Sequence, residues 1–234
     1  MLRRFSSSYP VRGAIPRLFH RSRFSVSASS DPEYALTPDV AQDAHNHTVR
    51  WVDEVIVNRG MCPFASRPRK ADGIKIVVAS AGSQEGVLNV IKEEALLLGC
   101  EQSDNNPRYV TTLVVAPHPS LPFARDFHAQ VLFSWDILAE LHDLNLTPTD
   151  ESPDRGLQLV NFHPLGVKSV YAEGGVSPQD YVVKSPFPTF HLLREADLFE
   201  VARNPQAKPE LVPVRNANML TSWGIEKCKE VWGV

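Results

Sequence analysis

Three short apolar runs, separated by stretches with helical period, constrain this chain more than any other feature. Ile74 to Ala79 sets Ile74, Ile76 and Val78 on one face, as a strand does. Val110 to Ala116 is apolar nearly throughout, the pattern of a strand buried on both faces. Leu157 to Phe162 is the third run. Between the first two, Ser83 is placed to cap a helix whose stripe is Val87, Leu88, Ile91, Ala95 and Leu98, ended by Gly99. Between the second and third, a long helix is expected from about Phe123 to His142, with Phe127, Val131, Leu138 and Leu141 inward.

The flanks are also patterned. Thr37-Pro38 opens a helix with Asp39 in its first turn, and Val40, Ala44, Thr48, Trp51 and Val55 recur toward a stop at Gly60. Gly166 to Pro188 is loop-like. A helix is expected from about Phe190 to Arg203 with Leu192, Leu193, Ala196 and Phe199 inward. A last one spans about Asn216 to Lys229 and breaks near Gly224. Strands alternating with helices predict an α/β layered single domain, a small central sheet of three or more strands flanked by helices. Right-handed crossovers would make its strands parallel; a ferredoxin-like α+β arrangement is the alternative.

The first thirty residues differ from the rest. They hold six arginines (Arg3, Arg4, Arg12, Arg17, Arg21, Arg23), eight serines and no Asp, Glu or Lys. That is the composition of an organelle transit peptide. There is no apolar core of the secretory type. Arg23-Phe24-Ser25 offers a cleavage point ahead of Ser25. The expectation is a disordered leader over residues 1–30 that engages the import machinery, a linker over 31–36, and one globular domain over 37–234. The destination is the mitochondrial matrix, with plastid as the alternative.

Without the leader, 18 of the 24 basic residues remain against 27 acidic ones, a net charge of −9. Such a domain is poorly suited to a phosphate backbone, which argues against nucleic acid as a partner. No apolar run approaches the ~20 residues of a membrane span. Three cysteines without a CxxC pair (Cys62, Cys100, Cys228) do not make a disulfide framework. GxGxxG, GxxxxGK[ST], GxSxG and HExxH are all missing, which disfavours dinucleotide dehydrogenases, P-loop enzymes, serine hydrolases and common zinc proteases.

The residue types that carry chemistry fall at a few points. Cys62, in Gly60-Met61-Cys62-Pro63-Phe64-Ala65, is held by a proline just past a helix end; burial as a small apolar side chain is its plainer reading. His163 directly follows the third strand, where α/β domains put their sites. A turn histidine bonded to backbone weighs equally there. His118, between two prolines after the second strand, is more simply a loop residue. In Ser185-Pro186-Phe187-Pro188-Thr189-Phe190-His191-Leu192-Leu193-Arg194-Glu195, helical spacing would put His191, Arg194 and Glu195 on one face. A histidine and a glutamate one turn apart can bind a metal or act as an acid/base pair. Arg194 and Arg215 are placed to clamp an anion, with Asn216 beside the second.

Taken in order, Met61-Cys62-Pro63-Phe64-Ala65, Thr111-Thr112-Leu113, Phe162-His163-Pro164, Ser185-Pro186-Phe187-Pro188, His191-Leu192-Leu193-Arg194-Glu195 and Arg215-Asn216 resemble the family called domain of unknown function 1415, over about residues 45–224. The chain departs from that family's pattern at Asn58-Arg59-Gly60-Met61 and at Val183-Lys184. The family has no settled activity. The resemblance implies only that Cys62, His163, His191, Arg194, Glu195, Arg215 and Asn216 form one constellation.

The expected function is a small-molecule enzyme of an organelle matrix. His163 and His191 would supply base and acid, Glu195 would orient a histidine, Cys62 would add a thiol, and Arg194, Arg215 and Asn216 would hold an anionic substrate. In a metal-assisted version His163, His191 and Glu195 bind zinc or iron, the metals that donor mix prefers. The rival is a non-catalytic binding or assembly protein. Convergence of the His163, His191 and Glu195 side chains on one space separates the two.

Overall fold

The structure is a computed structural model that describes residues 25–27, 35–99, 110–150, 156–168, 176–204 and 208–233. Its strands are β1 Ser25–Ser27, β2 Ile74–Ala79, β3 Thr111–Val115, β4 Leu157–Phe162 and β5 Thr189–Arg194. They form one mixed sheet in the order β1-β2-β3-β5-β4. β1, β2 and β3 run parallel, while β5 runs antiparallel to both β3 and β4. β1 lies inside the segment read as a leader; the rest of residues 1–30, most of the 31–36 linker and Cys100 lie outside the described residues.

β5 corrects the expected helix over Phe190 to Arg203: only α5, Glu195–Arg203, is helical there. Phe190 and Leu192 are fully buried on one face, and Thr189, His191 and Leu193 alternate with them. Period two wins over the apparent period of 3.6 because the slot between β3 and β4 needs a strand to satisfy two rows of backbone groups. β5 also makes the sheet mixed rather than wholly parallel.

Helices cover both faces. α3 Gln84–Gly99 and α4 Phe127–Asp143 pack on the face of Val77, Val114, Phe190 and Leu192. Phe190 stands edge-on to Phe123 and Phe133, with centroids 5.5 and 5.7 Å away, and its burial alone is worth about 2–3 kcal/mol. α4 begins later than expected because Asp126 caps it, accepting from the His128 and Ala129 amides at 2.9 and 3.2 Å.

The opposite face holds Ile76, Val78, Leu113 and Val115. It is covered by α1 Pro38–Trp51, by α6 Val212–Trp232, and by a 3₁₀ turn over Pro178–Val183. α1 continues as a π-helix over Val52–Val57, keeping Trp51, Val52 and Val55 buried before the chain turns at Gly60 (φ +69°). The short α2, Ser66–Lys70, follows. α6 breaks at Gly224 (φ 70°, ψ 171°), as its glycine implies. Among the described residues no helix is long and apolar enough to cross a membrane.

Candidate functional site

β4 and β5 position four of the expected site residues, His163 just past β4, His191 and Arg194 on β5, and Glu195 at the start of α5, and they place the two histidines and the glutamate apart. Strand alternation puts His163 on the same side as Asn161, whose Nδ2 donates to Ser134 Oγ of α4 at 2.6 Å. His191 lies on the other side, its ring 5.9 Å from that of Phe162, which packs in turn on Trp51 of α1. The two histidines therefore occupy opposite faces of the sheet. Glu195 follows Arg194, which pairs with Leu157, whereas His163 follows Phe162, which pairs with Thr189. Five strand steps separate those ends, roughly 17 Å.

Each histidine is committed locally. His163 is fully buried. Its Nε2 donates to the Phe123 carbonyl at 2.8 Å, and its Nδ1 accepts the Leu165 amide at 2.9 Å. Those partners require the neutral ring with its proton on Nε2. Burial lowers its pKa, and the nearby Lys184 charge adds to that, against the opposing Phe123 bond and Asp126. Thr111 Oγ1 donates to the Leu192 carbonyl at 2.7 Å, so its oxygen is left to accept from His191 Nε2 at 2.5 Å. Desolvation pushes His191 down to about 4. Both rings are neutral at pH 7 and bonded to the fold.

The remaining residues divide as well. Arg194 pairs with Asp197 one turn on, through Nε at 2.7 Å and Nη2 at 2.6 Å, so its charge is already matched. Burial raises the Glu195 pKa, and its backbone amide donates to the Gly156 carbonyl at 3.1 Å. Among the described residues no group of three or more His, Cys, Asp or Glu side chains could hold a metal ion. The donor set His163, His191 and Glu195 does not fit zinc or iron in this arrangement, because its members face different spaces.

Cys62, Arg215 and Asn216 do meet. The turn at Gly60 brings Met61 and Cys62 against α6. Asn216, buried, donates from Nδ2 to the Met61 carbonyl at 2.7 Å. Arg215 Nη2 donates to the Gly60 carbonyl and to Asn216 Oδ1 at 2.8 Å, with a longer contact to the Met61 carbonyl at 3.4 Å. The guanidinium is thus fixed along one edge by neutral oxygens only, and Nη1 makes no hydrogen bond among the described residues.

Cys62 is partly exposed beside it. Burial raises its thiol pKa, while the Phe64 and Ala65 amides and the Arg215 charge act the other way. Those amides belong to the turn entering α2, so the turn partly offsets the unfavourable helix end before it. Pro63, Ser66, Arg67, Lys70 and Ala71 line an open depression next to the same turn. Arg59, Arg67, Lys70 and Arg215 are exposed and form no ion pair among the described residues, whereas Arg69 pairs with Asp53 at 2.5 Å.

Thr111, Gln130 and Lys184 hold these elements together, in roles their sequence context does not announce. Thr111 bridges His191 to the Leu192 carbonyl. Gln130 Nε2 reaches the Phe162 and Thr189 carbonyls, both at 3.2 Å. Lys184, buried, donates to the Pro164 carbonyl at 2.9 Å over the Tyr181 ring, and burial lowers its pKa. Thr111 lies in the Thr111-Thr112-Leu113 motif and Lys184 at a departure from the family pattern, while Gln130 carries no such signal. The roles of Gln130 and Lys184 become visible once the β4–β5 pairing is known.

A family model described as "Protein of unknown function (DUF1415)" matches residues 43–230 of the chain. No curated protein and no solved structure matches it.

Proposed function

The chain belongs to the DUF1415 family, and we propose that it binds a small anionic molecule at the Cys62 turn as a protein of an organelle matrix. One observation carries this reading. The Arg215 guanidinium is held near the Cys62 thiol by carbonyl and amide oxygens, and among the described residues no carboxylate pairs with its charge. Fixing an arginine this way removes side-chain freedom before any ligand arrives, and a preorganised cation binds an anion with less ordering cost. Arg67 and Lys70, exposed and without an ion pair among the described residues, follow this turn, and Arg59, which lies over the Trp223 ring, precedes it. A positive patch on an otherwise acidic domain draws anions to that one place.

The Arg-rich, acid-free first thirty residues support import into mitochondria, with plastids second. The acid–base enzyme built on His163, His191 and Glu195 is the weaker reading, since those side chains serve opposite faces and opposite ends of the sheet. Cys62 enters the proposal as a thiol beside the bound anion.

The test is protection of Cys62 from alkylation by iodoacetamide, read by peptide mass spectrometry. Inorganic phosphate, sulfate, acetate and pyruvate are compared at constant ionic strength. Saturable protection by one or more of them, abolished in Arg215→Gln, is the expected result. If none of these anions, nor a longer carboxylate, gives saturable protection, the reading is overturned.

A further inference from the structure

The face of α6 that carries Arg215 is not polar around it. Leu211, Val214, Arg215 and Asn218 stand at i, i+3, i+4 and i+7, so they share one side of the helix. Leu211 closes the 3₁₀ turn Pro209–Leu211 with helical backbone angles (φ −87°, ψ −14°), which keeps it in phase with α6. Leu211 is 52% exposed and Val214 is 59% exposed. Neither adds to the core, yet both share the helix face of Arg215, whose fixed guanidinium has no ion-pair partner among the described residues. A branched apolar pair on the helix face of a fixed cation complements a molecule with a negative group and an aliphatic body.

Resting on the anion-binding reading above, we propose that the ligand is an aliphatic carboxylate. Its carboxylate sits on the uncommitted Nη1 side of Arg215, and its hydrocarbon chain lies across Leu211 and Val214. A planar guanidinium suits a carboxylate in shape, with two donors for two oxygens. The apolar contact supplies affinity that a small anion such as acetate cannot obtain.

Octanoate, acetate and 1-octanol are compared for protection of Cys62 against iodoacetamide in the full-length protein, at equal ionic strength. Octanoate should protect at a concentration about tenfold or more below that of acetate, the gain from covering roughly two methylene groups. Octanol should not protect. The exposed-site double variant Leu211→Ser, Val214→Ser should bring octanoate to the acetate level and leave acetate unchanged. If octanoate and acetate protect equally, or the double variant leaves octanoate as it was, the aliphatic class is wrong while the anion site stands. If neither carboxylate protects, nor any of the other small anions, the site itself falls and this inference with it.

Discussion

Asn216 holds the Met61 carbonyl with its Nδ2 at 2.7 Å and receives Arg215 Nη2 on its Oδ1 at 2.8 Å. One buried amide thus fixes both halves of the candidate site, the turn that bears Cys62 and the guanidinium that faces it. In Asn216→Ala the Met61 carbonyl loses its buried donor and Arg215 loses its anchor. Stability should fall by about 1–3 kcal/mol, seen as a lower urea midpoint with an unchanged slope. Anion protection of Cys62 should weaken in the same variant under native conditions.

His163 is expected to matter to the fold and not to the Cys62 site. Its removal in His163→Ala opens a cavity and strands the Phe123 carbonyl and the Leu165 amide. The expected loss is about 2–4 kcal/mol by urea unfolding. The folded fraction should show the same Cys62 alkylation rate and the same anion protection as the parent. A large change in either would tie His163 to the site.

His191 makes stability depend on pH. Its folded pKa, about 4, lies below the ordinary 6.5, so the native state resists a proton that the unfolded chain accepts. Its contribution is complete above about pH 6.5 and is lost as pH falls from there toward 4, up to roughly 3 kcal/mol. The depressed His163 acts in the same direction. His191→Gln keeps a donor for Thr111 Oγ1 without the titration. Its unfolding free energy should therefore fall less steeply between pH 6.5 and 4, measured by urea titration at several pH values.

Much of the architecture was legible because burial writes its period directly into the chain. β2 and β4 occur where their apolar runs stand, β3 is shorter by one residue at each end, and α6 breaks at Gly224. β5 was not legible, because His191-Leu192-Leu193-Arg194-Glu195 satisfies helical spacing as well as alternation over so short a stretch. What decided it was tertiary: two strands far apart in sequence needed a partner between them. The same gap explains the site. Cys62 and Arg215 were visible as residue types, but their meeting depends on how α6 crosses the sheet. The expectation that His191, Arg194 and Glu195 share a face fell with the helix that was to carry them.

Metal content follows from the same geometry. Protein purified without chelator or nickel affinity should hold zinc and iron well below one equivalent by elemental mass spectrometry, since His163, His191 and Glu195 do not converge. Near-stoichiometric metal that disappears in His191→Ala would contradict that assignment.

Arg215, by the anion-binding proposal, presents a positive charge to whatever approaches Cys62. The direct measurement is the ratio of Cys62 alkylation rates by iodoacetate and by iodoacetamide, normalised to free glutathione. A ratio cancels any change in thiolate fraction. The ratio should be raised roughly threefold or more, as ~1 kcal/mol of attraction between unit charges in water allows. It should return to the glutathione value in Arg215→Gln and decline with added salt. A ratio at or below that of glutathione in the parent protein, or one unchanged by Arg215→Gln, would contradict the proposal.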